Sequence, residues 1–114
     1  MPDRNDNPRS AFHQRRRARL IKKSEVRFGD QVTMRTQNSV YRLIALYNST
    51  CLVYGGRFDC RGESNRVVIQ GCTRGGSAIR TDLLAACGMY LEFGNSLQTS
   101  EIMELSRTSI CSRN

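Results

Sequence analysis

A chain of 114 residues, 39% hydrophobic and with a net charge of +8, has room for one small core. It contains no stretch near the roughly 18 consecutive apolar residues of a membrane helix. The charge is uneven. Residues 1–24 hold eight of the 18 Lys and Arg (Arg4, Arg9, Arg15, Arg16, Arg17, Arg19, Lys22, Lys23) against Asp3 and Asp6, so the remaining chain is nearly neutral and its composition implies no basic groove.

In chain order, residues 1–24 come first. This segment contains both prolines, the single histidine His13, and few apolar side chains. Such a segment buries too little surface to offset the entropy of ordering, so the composition predicts a disordered basic arm. Its run "RRRARLIKK" offers Arg15, Arg16, Arg17, Arg19, Lys22 and Lys23 as phosphate contacts for a nucleic acid. Two other readings stay open: a solvated tail without a partner, and an interfacial helix on anionic lipid using Phe12, Leu20 and Ile21. The run replaces the apolar centre of a secretory signal, which predicts a soluble, cytoplasmic protein. The five widely spaced cysteines (Cys51, Cys60, Cys72, Cys87, Cys111) fit that compartment as buried apolar groups better than they fit a disulfide framework.

From Val26 to Thr36 the polarity alternates, with Val26, Phe28, Val32, Met34 and Thr36 facing one way and Asp30 the single polar residue in that register. Period two predicts a half-buried strand, bent or restarted at Gly29-Asp30. Asn38-Ser39 reads as a tight turn into a second strand over 40–47, so the two should form a hairpin. Tyr41, Leu43, Ala45 and Tyr47 share one face of that second strand and read as core. A third strand follows at 51–54, continued after Gly55-Gly56 by Arg57 to Asp59; "CRGESN" is a polar loop, and 66–70 is a fourth strand.

The stretch "IQGCTRGGSA", residues 69–78, has three glycines without the lysine-bearing pattern of a phosphate loop or the spacing of a dinucleotide loop. It reads as a glycine-permitted turn with Arg74 at its tip, the one residue there that is a candidate anion contact. Residues 79–87 fit a short helix, with Ile79, Leu83, Leu84 and Cys87 at helical spacing, or a strand. Met89, Leu91 and Phe93 alternate as a strand; 97–105 reads as the last strand, and 106–114 as a flexible C-terminal tail. Residues 25–105 therefore form the predicted domain, an all-β barrel or sandwich of about six short antiparallel strands.

"VRFGDQVTMRTQNSVYRL" resembles the opening of SH3-like small barrels. Together with "GCTRGG" and "MYLEFGN…TSEI", its segment "RTQNSVYRL" resembles a family of small uncharacterised bacterial proteins, a resemblance that spans most of the body and implies no activity or site residue.

For catalysis the body offers little. A reactive thiolate at Cys72 or Cys87 needs a neighbouring base, and no histidine lies beyond His13. No pattern of paired Cys or His suggests a metal, and no cofactor is implied. Asp30, Asp59, Asp82 and Glu92 fall on different predicted elements; Asp30 reads as a turn acceptor and Asp82 as a cap or a local partner of Arg80. Tyr41, Tyr47, Tyr54 and Tyr90, with Arg35, Arg42 and Arg57 nearby in sequence, are candidates for base stacking, a reading weakened by the core character of the Tyr41–Tyr47 face. The sequence thus favours a non-catalytic binding module whose basic residues contact a nucleic acid or another anion. The alternatives are a protein-interaction or assembly module and, ranked last, a carboxylate hydrolase.

Overall fold

The computed structural model describes residues 13–56, 65–76, 78–94 and 97–110. Its strands are β1 (His13–Ala18), β2 (Leu20–Lys22), β3 (Gln31–Thr36), β4 (Val40–Ala45), β5 (Thr50–Gly55), β6 (Arg66–Thr73), β7 (Leu83–Ala86), β8 (Tyr90–Phe93) and β9 (Ile102–Ile110). Seven form one sheet in the order β1-β9-β3-β4-β5-β6-β8, and β2 pairs with β7 in a second, two-stranded sheet. All the pairings are antiparallel, and the larger sheet does not close into a barrel.

The sheet is built around the meander β3-β4-β5-β6, in which alternation decides which face is buried. Val32 and Met34 of β3, Tyr41 and Leu43 of β4, and Cys51 and Val53 of β5 all point inward and are nearly inaccessible. Registers Val32↔Leu43↔Val53 and Met34↔Tyr41 stack these residues in rows across the strands. Each fully buried aliphatic side chain contributes about 1.5–3 kcal/mol of transfer free energy. Ile69, Leu91, Phe93, Ile102 and Leu105 extend the same core, which Ile21 and the whole of β7 complete from the two-stranded sheet. The expected hairpin is the β3–β4 pair.

Several expectations need correction. The predicted disordered arm is ordered in its second half: β1 pairs along its full length with β9, and β2 with β7. Backbone pairing supplies here what composition withheld: Ala18 packs against the core while Arg15, Arg16 and Arg17 stay at the surface. Residues 1–12 lie outside the described residues. The C-terminal strand likewise runs on to Ile110, so residues 106–110 are paired rather than frayed; the last four residues lie outside the description. β9 is hard to read because it lies between β1 and β3, so that its polar residues are held by ladders on both sides.

Residues 83–86 are a strand and not a helix. All four are buried, since β7 is covered on both faces, and uniform burial removes the periodicity by which a strand is recognised. The strand count rises to nine accordingly, and the only helical turn among the described residues is a 3-10 turn, Lys23–Glu25. The expected extension over 57–59 lies outside the described residues.

Two aromatic assignments also change. Phe28 is 70% exposed and Tyr47 63% exposed, although the alternation placed both in the core. Strand β3 begins only at Gln31 and β4 ends at Ala45, so each ring belongs to a turn outside the alternating register.

The stretch 69–78 is a bulged strand end followed by a turn. Thr73 is buried, and its hydroxyl accepts the Gly75 N–H (3.2 Å) and donates to the Gly76 carbonyl (3.1 Å), which folds "TRGG" back on itself. The indispensable glycine precedes this turn. Gly71 has φ +149, and a Cβ there would overlap the carbonyl oxygen of Arg80 on the neighbouring segment. Within the turn, Gly75 has φ +102, which a side chain would strain, whereas Gly76 has no such φ and a Cβ there would meet nothing within 4 Å.

Candidate nucleic-acid interface

In the strands flanking β3, the residues opposite the core point to solvent, and arginine recurs among them. The register aligns Arg17 of β1, Ser106 of β9, Thr33 of β3, Arg42 of β4 and Tyr54 of β5 in one row. The next row contains Arg15, Thr108, Gln31 and Ile44. On the other side, Arg35 lies opposite Glu104. With strands about 4.8 Å apart and alternate residues about 6.8 Å apart, the four arginines fall within a patch roughly 14 Å across.

The patch has two depressions. One, of about 390 Å³, is lined by Arg15, Arg17, Thr33, Arg35, Glu104, Leu105 and Ser106. The other, of about 450 Å³, is lined by Arg15, Gln31, Thr33, Val40, Arg42, Tyr54 and Gly55. Arg15 belongs to both, and its Nε donates to the Ser106 hydroxyl at 3.1 Å, which fixes the guanidinium between them. Arg42 lies over the Tyr54 ring, 5.5 Å from its centroid.

Among the described residues, Glu104 is the only carboxylate that lines these depressions. Glu104 accepts from Arg35 Nε at 3.3 Å and pairs with its Nη2 at 3.2 Å. Hydrogen bonding and charge from Arg35 hold the Glu104 carboxyl below its ordinary pKa, so it stays ionised and offsets one of the four arginines.

A second basic group lies on the other face of β1 and β9, at the rim of the core, in the register row of buried Val32 and Leu43. Arg16, Arg27 and Arg107 share a depression of about 450 Å³ with Glu25, and Arg107 Nη1 donates to the Glu25 carbonyl at 2.9 Å. Arg16 faces Arg107 across the β1–β9 ladder.

The sequence candidates are therefore dispersed. Arg15 and Arg17 meet on the outer face, and Arg16 on the rim. Arg19 is exposed at the bend between β1 and β2, where its carbonyl accepts the Cys87 N–H at 2.8 Å. Lys22 is exposed, and its backbone N–H donates to Glu25 Oε1. Lys23 is turned inward: its ammonium donates to the Gln70 carbonyl at 3.1 Å, and desolvation lowers its pKa. Arg74 lies on a different turn, beside a depression shared with Gly76, Ala78, Arg80 and Met89.

Arg35 and Arg42 carry the patch together with Arg15 and Arg17, yet composition pointed only to the N-terminal run. The available signal was their position: each occupies a solvent-facing slot of an alternating strand. What could not be read was that β1 joins the same sheet through β9.

The remaining chemical candidates are engaged locally. The Asp30 carboxylate is buried and accepts the Arg27 N–H at 3.0 Å, as a turn acceptor should. Asp82 forms a two-point pair with Arg80 at 3.1 and 3.0 Å, whose hydrogen bonds lower its pKa. Asp59 lies outside the described residues. Cys72 is fully buried, and desolvation pushes its thiol up to about 12; the same cause raises Cys51 to about 11. Among the described residues, no three His, Cys, Asp or Glu side chains gather in a way that could hold a metal, and no helix is long and apolar enough to cross a membrane.

Fold and patch together define a small open β-sheet domain with an arginine-lined outer face. No protein family, curated protein or solved structure matches the chain.

Proposed function

We propose that this protein is a nucleic-acid-binding module that holds the phosphate backbone on the outer face of its sheet. The observation that supports the reading is the convergence of Arg15, Arg17, Arg35 and Arg42, from three strands, around depressions lined, among the described residues, by a single carboxylate. Guanidinium groups in such an array neutralise several phosphates and release their counterions, and the neighbouring Thr33, Gln31 and Ser106 supply neutral hydrogen-bonding groups.

Deleting residues 1–24 would remove β1 and β2, so the test uses point charge reversals. Binding of a fluorescent oligonucleotide is measured by anisotropy at several salt concentrations. Arg15→Glu with Arg42→Glu should weaken binding at least tenfold and flatten the salt slope by roughly one unit for each phosphate no longer neutralised. Arg74→Glu, on its separate turn, should change affinity far less. Wild-type protein that binds no oligonucleotide, or a double reversal that binds as tightly as wild type, overturns the reading.

A second reading, assembly through a sheet edge, has one supporting feature: β1 is the outermost strand of the larger sheet among the described residues. Arginines on both faces of β1 would repel a second copy of itself. A salt-resistant dimer in light scattering of the same samples would favour assembly nonetheless.

A further inference from the structure

The feature that the phosphate-binding reading leaves unused is the exposed pair Phe28–Tyr47. Their rings are nearly parallel, with 11° between planes and centroids 6.3 Å apart, yet the two residues are 70% and 63% exposed. Two large aromatic rings left in water forgo burial that a core position would provide.

Their backbones are held. Phe28 is at the second position of a turn in which the Asp30 N–H donates to the Arg27 carbonyl at 2.9 Å, and Gly29 has φ +92. A positive φ at the third position is the mark of a type II turn and calls for glycine. The turn is fastened to the end of β4 by Gly29 N–H to the Ala45 carbonyl and Ala45 N–H to the Asp30 carbonyl, both 2.8 Å.

Tyr47 opens the turn between β4 and β5, which is closed by the Thr50 N–H donating to the Tyr47 carbonyl at 3.0 Å. Its central residues Asn48 and Ser49 both have positive φ, 56° and 63°. Two consecutive positive φ values are the mark of a type I′ hairpin turn, which holds Tyr47 at its first position just beyond the end of β4.

The electrostatic setting indicates what such rings would meet. Arg27 precedes Phe28 and lines the rim depression with Arg16 and Arg107, while the row through Gln31, three residues beyond Phe28, leads across β9 to Arg15. The carboxylates close in sequence to Phe28 are occupied: Asp30 is buried on the Arg27 N–H, and Glu25 accepts from Lys22. Exposed aromatic rings carried on a segment with exposed arginines, as Phe28 is next to Arg27, are the pattern by which proteins hold unpaired bases, the rings stacking on bases while the cations follow the phosphates.

We infer that Phe28 and Tyr47 form a stacking platform for an unpaired base, so that the ligand of the basic face is a single-stranded nucleic acid. This inference rests on the phosphate-binding reading and adds the requirement for exposed bases.

The chain contains no tryptophan, so Phe28→Trp introduces a single reporter. The probes are a single-stranded oligonucleotide, the same sequence as a duplex, inorganic polyphosphate, and vesicles with an anionic lipid. The single strand should quench the indole emission, and polyphosphate, having no bases, should not. Phe28→Ala with Tyr47→Ala should weaken single-strand binding roughly fivefold to 150-fold, the range for one stacked base. It should leave the salt slope and polyphosphate affinity unchanged. Phe28→Tyr with Tyr47→Phe, which keeps both rings, should retain binding.

Duplex bound as tightly as single strand overturns the inference, as does a double alanine variant with wild-type affinity. So does indole emission that shifts on vesicles and not on the single strand, which would assign the pair to a membrane surface. In each of these cases the charge-reversal result decides the phosphate-binding reading separately.

Discussion

The β3–β5 meander and the β1–β9 pair belong to one sheet but are stabilised differently. In the meander every second side chain is buried, and rows such as Val32–Leu43–Val53 hold the strands in register through their own packing. Among the described side chains of β1 only Ala18 packs against the core, and the order of the strand depends on the ladder to β9 and on contacts such as Arg15 with Ser106. The meander is thus the scaffold. The added strand brings charge to it and has little apolar burial of its own.

The largest effect that would sharpen this contrast is expected in the meander. Leu43 is 1% exposed, and Leu43→Ala should cost about 2–5 kcal/mol in urea unfolding, through reduced burial and the cavity left behind. A change below about 1 kcal/mol would mean that the meander is not the scaffold.

Hydrogen exchange tests the weaker region. Amides of β1 should exchange through local opening, at least tenfold faster than those of β4, whose exchange should follow global unfolding. Equal protection of the two strands would erase the distinction between scaffold and added strand.

The smallest effect concerns the ion pair at the outer face. Because Arg35 holds Glu104 below its ordinary pKa, the pair's contribution is complete above the ordinary glutamate range and is lost as pH falls through the depressed value. Both groups are exposed, so stability should change little. The direct measurement is the Glu104 carboxyl titration by NMR, whose midpoint should rise in Arg35→Met; an unmoved midpoint would break the assignment.

The meander was legible because burial on one face writes period two into the sequence, and the β3–β4 hairpin could be read from Val26–Tyr47 nearly as it stands. Yet the same pattern misplaced Phe28 and Tyr47, whose polarity fits the register although the strands stop before reaching them. Of the candidate interface, the run 15–23 was visible as charge, but its division into outer face, rim and inward-turned Lys23 was not. That division follows from strand pairing, which places alternate residues on opposite faces whatever their chemistry.

By itself, then, the sequence determined an all-β domain, a glycine-permitted turn within residues 69–78, cysteines suited to burial, of which Cys51 and Cys72 are buried and Cys87 half-buried, and a basic N-terminal run, because each is a local consequence of periodicity, backbone freedom or composition. Only the tertiary structure decided that the run becomes a strand, that β9 extends to residue 110, and that Arg15 and Arg17 join Arg35 and Arg42. Those outcomes depend on hydrogen bonds between segments about 90 residues apart, and a backbone ladder accepts nearly any side chain that can remain at the surface.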